Sequence, residues 1–177
     1  MLLFYANLYA KIRQTLSGAN TDIFREKNPA PRMPRIKIDT PSRFVFSTQI
    51  PVRIDDINYG CHLGHDSVLT LTHEARVRFL TAHGYTEGDI EGVGIIMGDV
   101  GITYSSEAFY GDVIKISIGV GEYGNHFCEL IYLLLNEKSG KEIARVKTSL
   151  VFFDYKERKT VRMPEEFRKK IIHELEQ

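Results

Sequence analysis

A single long helical pattern followed by four strand-like segments in unbroken succession restricts what this chain can fold into more than any other feature. Val68, Leu71, Thr72, Ala75 and Phe79, flanked by Leu69 and Leu80, recur at helical spacing, and Gly84 closes the pattern as a C-terminal cap. A strand-like stretch, residues 44–54, precedes the helix, and Pro51 marks it as an edge strand or a bulge. Residues 94–104, 113–121, 126–136 and 143–153 follow, rich in β-branched and aromatic side chains and separated by Gly, Asn, Asp and Ser turns. In 113–120, Val113, Lys115, Ser117 and Gly119 alternate with Ile114, Ile116, Ile118 and Val120, the pattern of a sheet with one packed face. Consecutive strands without intervening helices pair antiparallel. The order therefore predicts an α+β fold, a long curved antiparallel sheet wrapped round a central helix of about five turns.

The 177 residues allow one full core plus an appendage. Hydrophobic residues make up 43% and charged residues 26%, the balance of a globular chain. Lys plus Arg and Asp plus Glu number 23 each, so no overall positive field gathers nucleic acid, and an anionic ligand must meet a local patch. Cys61 and Cys128 are isolated, with no CxxC pair and no histidine at zinc-ligand spacing; no metal or cofactor is expected, and a reduced, cytoplasmic setting fits. Residues 1–10 are apolar but lack the marks of a secretory signal, and no segment has the roughly 18 to 20 apolar residues that span a bilayer.

Tyr5, Leu8, Tyr9, Ile12 and Leu16 form a helical stripe over residues 1–18, to be buried on the domain or a sister subunit, or laid on a membrane surface as a peripheral contact. Pro29, Pro31, Pro34 and Pro41 mark a linker. The expected organisation is an N-terminal helix and linker over 1–41, the main domain over 42–163, and a C-terminal helix over 164–177 with a stripe of Phe167, Ile171, Ile172 and Leu175.

The run VRIDDINYGCHLGHDSVLTLTHEARVRFL, residues 52–80, resembles the signature of the hotdog-fold acyl-CoA thioesterases related to hydroxybenzoyl-CoA thioesterase. There a strand leads into a D-x-D-x-x-G-H loop and then into the central helix bearing E-A-R; Asp56, Asn58, Cys61, His62, Glu74, Ala75 and Arg76 fall in those places. The second acid of D-x-D is here Asn58, and the glycine before the histidine is Cys61. The chain is closer to a branch reading N-Y-G-x-H-L-G-x-D before H-E-A-R, matched by Asn58, Tyr59, Gly60, His62, Leu63, Gly64, Asp66, His73, Glu74, Ala75 and Arg76. The resemblance covers about residues 43–163. It implies a hotdog fold, subunits paired edge to edge as a homodimer or homotetramer, and an acyl-CoA thioester bound across the dimer interface.

Thioester hydrolysis needs an activated water and donors for the developing oxyanion, and no metal. A loop entering a helix N-terminus supplies unpaired N–H groups, which places Gly64, His65 and the residues after them at an oxyanion or substrate-binding site. Asn58 cannot ionise; it either orients a water or the carbonyl, or it is a turn residue. Asp56 is a solvated or turn-stabilising acid. Asp66 is a water-activating base or the helix N-cap, and Glu74 a base facing the neighbouring subunit or an ion-pair partner of Arg78. His62 assists at the carbonyl or is tied to backbone; His65 and His73 otherwise read as incidental. Arg158, Lys159 and Arg162 form the basic cluster expected to bind the CoA phosphates, or else a solvated turn. The expected function is hydrolysis of acyl-CoA to CoA and free acid by a helix carboxylate. The alternative is a non-catalytic hotdog module that binds acyl-CoA or acyl carrier protein.

Overall fold

The computed structural model describes residues 36–172, all within the unit Arg35–Gln177. The expected stripe over residues 1–18 and Leu175 lie outside the described residues. Strand β1 (Phe46–Pro51) is followed by a 3₁₀ turn (Ile54–Asp56) and helix α1 (His65–Ala82). Then come β2 (Gly94–Tyr104), β3 (Val113–Tyr123), β4 (Phe127–Asn136), β5 (Glu142–Asp154) and the two-residue β6 (Lys159–Thr160). The sheet is antiparallel throughout, in the order β1-β3-β4-β5-β2, with β6 on β5. Pro51 is the last residue of an edge strand, where its missing N–H costs no ladder bond.

Period-two alternation puts one face of the sheet against the helix. Ile114, Ile116 and Ile118 of β3, Leu130, Tyr132 and Leu134 of β4, and Val146 and Phe152 of β5 are fully buried. Facing them, Val68, Leu71, Thr72, Ala75, Arg76, Phe79 and Leu80 of α1 are buried at the three- and four-residue spacing of one helix face. Phe79 meets Phe46 edge-on at 5.8 Å. Register shifts at Met97/Asp99, Val120/Tyr123 and Leu134/Leu135 interrupt the ladders and bend long strands around the helix. The arrangement is the hotdog fold.

The helix ends as its sequence predicts. Gly84 has φ +81°, its N–H bonds Thr81 O at 3.0 Å, and the Tyr85 N–H bonds Leu80 O at 2.9 Å, the paired bonds of a Schellman cap. The proline-bearing stretch read as linker behaves differently from residue 36 onward. Ile38 is buried, the Arg145 guanidinium donates to Ile38 O at 3.3 Å, and Pro41 packs over Gly119, where an added Cβ would lie 2.5 Å from Pro41 Cγ. Prolines rule out ladder bonds but not side-chain packing.

The C-terminal segment opens after Pro164 with a short α-turn, Glu165–Phe167, and continues as a π-turn, Arg168–Ile172. The wider turn sends Phe167, Ile171 and Ile172, spaced i, i+4 and i+5, into the same core as α1. Among the described residues, no helix is long and apolar enough to cross a membrane.

Candidate active site

The loop between the 3₁₀ turn and α1 is held from within and from outside. Asp56 is buried; its Oδ2 accepts the Arg53 N–H at 2.8 Å and its carbonyl accepts the Gly64 N–H at 2.8 Å. Of its two readings, the turn-stabilising one is the structure. Asn58 Oδ1 accepts the Gly60 N–H at 2.8 Å, and the Asn58 N–H bonds His62 O at 3.0 Å, so Asn58 builds the turn. Its amide N–H₂ remains available to a ligand. Cys61 has φ +62°, which explains why the resembling family uses glycine there: a side chain in left-handed backbone costs about 1 kcal/mol.

The chain is pinned through Leu63, whose N–H bonds Ala108 O at 2.8 Å, and Gly64, so the helix starts at His65. This corrects the expected cap. Gly64, in extended backbone, is the N-cap, and Asp66 is the second helical residue, exposed, with its carboxylate folded back near Gly64 Cα. A glycine cap offers no side-chain oxygen, so the first-turn N–H groups stay available to an external acceptor at the positive helix end.

A cleft opens at this end, lined among others by Asn58, His62, His65, Tyr104, Ser106 and Glu107. Tyr104 OH donates to His65 O at 3.2 Å. Burial and the nearby Asp66 charge raise the Tyr104 pKa, so the phenol stays protonated as a donor. Asn58, His62, His65 and the helix start therefore come together in one cleft. Tyr104, Ser106 and Glu107 were missed: they lie some forty residues downstream, and the Leu63–Ala108 backbone pairing that brings them in leaves no local mark in the sequence.

Glu74 is elsewhere. Its carboxylate accepts from Arg78 Nε at 2.8 Å, and Arg78 in turn donates to Thr48 Oγ1 and Gln49 O, both at 3.1 Å. It lines a second cleft with Ile50, Arg53 and Thr70, about 12 Å along the helix from Asp66 at 1.5 Å per residue. His73, read as incidental, is tied by Nε2 to Glu87 Oε2 at 3.0 Å, and buried Arg76 donates from Nε to Glu87 Oε1 at 2.6 Å. Burial pushes the Glu87 pKa up, but the hydrogen bonds from Arg76 and His73 outweigh it and hold it below its ordinary value.

Arg158, Lys159 and Arg162 are exposed at and beyond the β5–β6 turn. Ala144 faces Tyr104 and Phe153 faces Gly94 across the β5–β2 ladder, so this cluster sits at the opposite end of the sheet from the cleft, roughly 30 Å away at about 3.3 Å per residue. One subunit does not bring it to the cleft.

The sequence profile of the thioesterase-like superfamily matches residues 52–171, more than half of the chain. Among solved structures, a 1,4-dihydroxy-2-naphthoyl-CoA thioesterase from Synechocystis is similar at 19% identity and TM-score 0.66, covering 71% of this chain and 94% of its own. A DHNA-CoA thioesterase from Staphylococcus aureus is similar at 21% identity and TM-score 0.61, covering 73% and 87%. A further Staphylococcus aureus protein, solved in complex with CoA, reaches TM-score 0.68 at 19% identity, covering 79% and 89%. No curated protein matches the chain.

Proposed function

This chain belongs to the thioesterase-like superfamily, and on that premise we propose that it hydrolyses acyl-CoA to CoA and the free acid. The observation that carries the reading is the cleft at the start of α1, where an uncapped helix N-terminus faces Asn58, His62 and Tyr104. The thioester carbonyl oxygen is held by the first-turn N–H groups from His65 onward, beside Gly64, and the charge that develops there is stabilised by the helix end. The Asn58 amide, fixed by its turn, donates to the same substrate. The base that acts on water comes from the groups gathered at this end, Asp66 from the helix and His62 from the loop. Glu74, neutralised by Arg78 in its own cleft, has no part in it.

The complete site requires two subunits. β2 ends the sheet order with its outer edge unpaired among the described residues, and Met97, Val100 and Tyr104 on it are partly exposed apolar side chains. Antiparallel pairing of β2 with its copy about a two-fold axis sets the start of the partner's β2 beside Tyr104. The partner's Arg158, Lys159 and Arg162 then come to this cleft, where they meet the CoA phosphates. The CoA complex of the structural relative supports a CoA thioester as the ligand.

Release of free thiol from short, long and aromatic acyl-CoAs tests the proposal: turnover of at least one class is expected, and CoA release from none overturns it. One observation favours a second reading. Asn58 stands where the resembling family has the second acid of its D-x-D loop, cannot ionise and spends its Oδ1 on a turn, which suits a module that binds acyl-CoA or acyl carrier protein without cleaving it. Saturable binding without thiol release is the result that selects this reading.

A further inference from the structure

Glu107 sits where the chain leaves β2, in a segment fixed on both sides. Before it, the Ser105 N–H bonds Ile143 O at 2.9 Å, Ser105 Oγ donates to Glu142 Oε1 at 2.8 Å, and Ser106 Oγ donates to Glu142 O. After it, Ala108 is fully buried and accepts the Leu63 N–H. The backbone cannot wander, while the side chain stays 66% exposed in the cleft.

His62 faces it from the loop. Its Nδ1 lies 3.1 Å from Leu63 O, an acceptor, which assigns the ring proton to Nδ1 and leaves the lone pair on Nε2. The ring closes over Gly60, where a Cβ would stand 2.7 Å from Nε2, so glycine at 60 permits this ring position. Nε2 is 4.0 Å from Glu107 Oε1. Two acceptors at that separation suit one water that donates a hydrogen to each: bonds of about 2.8 Å to both meet at roughly 90° on its oxygen.

The other charges fit the same assignment. The titratable groups lining the cleft are His62, His65, Tyr104 and Glu107, with Asp66 beside Tyr104, and no lysine or arginine lines it among the described residues. The Glu107 charge is therefore not neutralised within the cleft, in contrast to Glu74.

We propose that His62 Nε2 and the Glu107 carboxylate hold the attacking water between them and that His62 takes its proton, which makes Glu107 a further catalytic residue. This rests on the thioesterase reading above. The water oxygen bonds to the carbonyl carbon as one O–H proton passes to Nε2 and the C=O pair moves to oxygen. Glu107 stabilises the imidazolium so formed. The oxyanion then re-forms C=O, the C–S bond breaks with its electrons on sulfur, and the imidazolium proton goes to the thiolate. Acid and thiol leave with His62 neutral again.

The experiment is thiol release from an acyl-CoA turned over by the wild type, with kcat and KM measured for wild type, H62Q, E107Q and D66N and far-UV circular dichroism on each. H62Q should lose about a hundredfold or more in kcat. E107Q should lose kcat with KM little changed, because the carboxylate holds the attacking water and not the acyl-CoA; a merely structural glutamate would not produce that split. If H62Q and E107Q keep wild-type kcat while D66N loses it, this assignment is overturned and the thioesterase reading stands. If the wild type cleaves no acyl-CoA, the reading itself falls and takes the assignment with it.

Discussion

Leu63 and Ala108, forty-five positions apart, are joined by a single backbone hydrogen bond of 2.8 Å, and both side chains are buried. That bond closes the loop before α1 against the chain leaving β2. It sets where the helix begins, and it carries Glu107 to within 4.0 Å of His62. The placing of Glu107 beside His62 follows from this long-range backbone pairing rather than from a local motif.

The Arg76–Glu87 pair joins the middle of α1 to the loop before β2 across a 2.6 Å hydrogen bond, with Arg76 buried and Glu87 about one-third exposed. Glu87→Gln leaves a buried guanidinium without its counter-charge. The loss is expected at about 1–2 kcal/mol, below the roughly 3–5 kcal/mol of a fully buried pair because solvent screens the carboxylate. The Glu87 pKa is depressed in the fold, so its contribution is present above the ordinary value of 4.5 and disappears as pH falls through the lower folded value. Urea unfolding from pH 3 to 7 should show the difference between wild type and E87Q shrinking below about pH 4.5.

Phe167 is fully buried, packed edge-on against Phe152 at 5.3 Å and beside Tyr85 at 5.7 Å. Phe167→Ala should cost about 3–5 kcal/mol, the range for emptying an aromatic site in a core. A denaturation midpoint within error of the wild type would show that the C-terminal segment is not part of that core.

The edge-to-edge pairing proposed for β2 is open to direct disruption. Val100 lies near the middle of this strand and is partly exposed, so Val100→Lys would set two like charges close together across a two-fold axis. Sedimentation equilibrium at micromolar concentration should give a dimer or larger assembly for the wild type and a monomer for V100K, with thiol release lost in the variant. A monomeric wild type that still turns over acyl-CoA would rule out the two-subunit site.

Much of the architecture could be read in advance because it rests on periodicity. Helical spacing from Val68 to Leu80 and alternation along Ile114, Ile116 and Ile118 each state which face is buried, and the structure buries those faces. Capping was legible at Gly84, where a left-handed residue is required, but not at Gly64, because Asp66 also matches a cap and only the pairing of Leu63 and Gly64 decides between them. The stretch before β1 reads as a linker because proline signals missing ladder bonds, whereas Ile38 and Pro41 are held by side-chain packing on the sheet. In the site, Asn58 and His62 stand in the loop and His65 opens the helix it leads into, so the three were visible together in one short run. Glu107 was not, since nothing near it in sequence records the strand that carries it there. The basic cluster was recognisable by charge, yet its distance from the cleft depends on strand length and register.

The roles given to His62, Glu107 and the partner's basic cluster all depend on thioester chemistry at the N-terminal end of α1. The most direct measurement is a crystal structure with an uncleavable acyl-CoA analogue in which a methylene replaces the thioester sulfur and the carbonyl is kept. The expected result is the carbonyl oxygen within hydrogen-bond distance of the first-turn N–H groups of His65 to Ser67, His62 and Glu107 on the side open to water, and the CoA phosphates against the partner's basic cluster. A carbonyl bound instead beside Glu74 and Arg78, with the cleft at Asn58 and His62 empty of ligand, would contradict it.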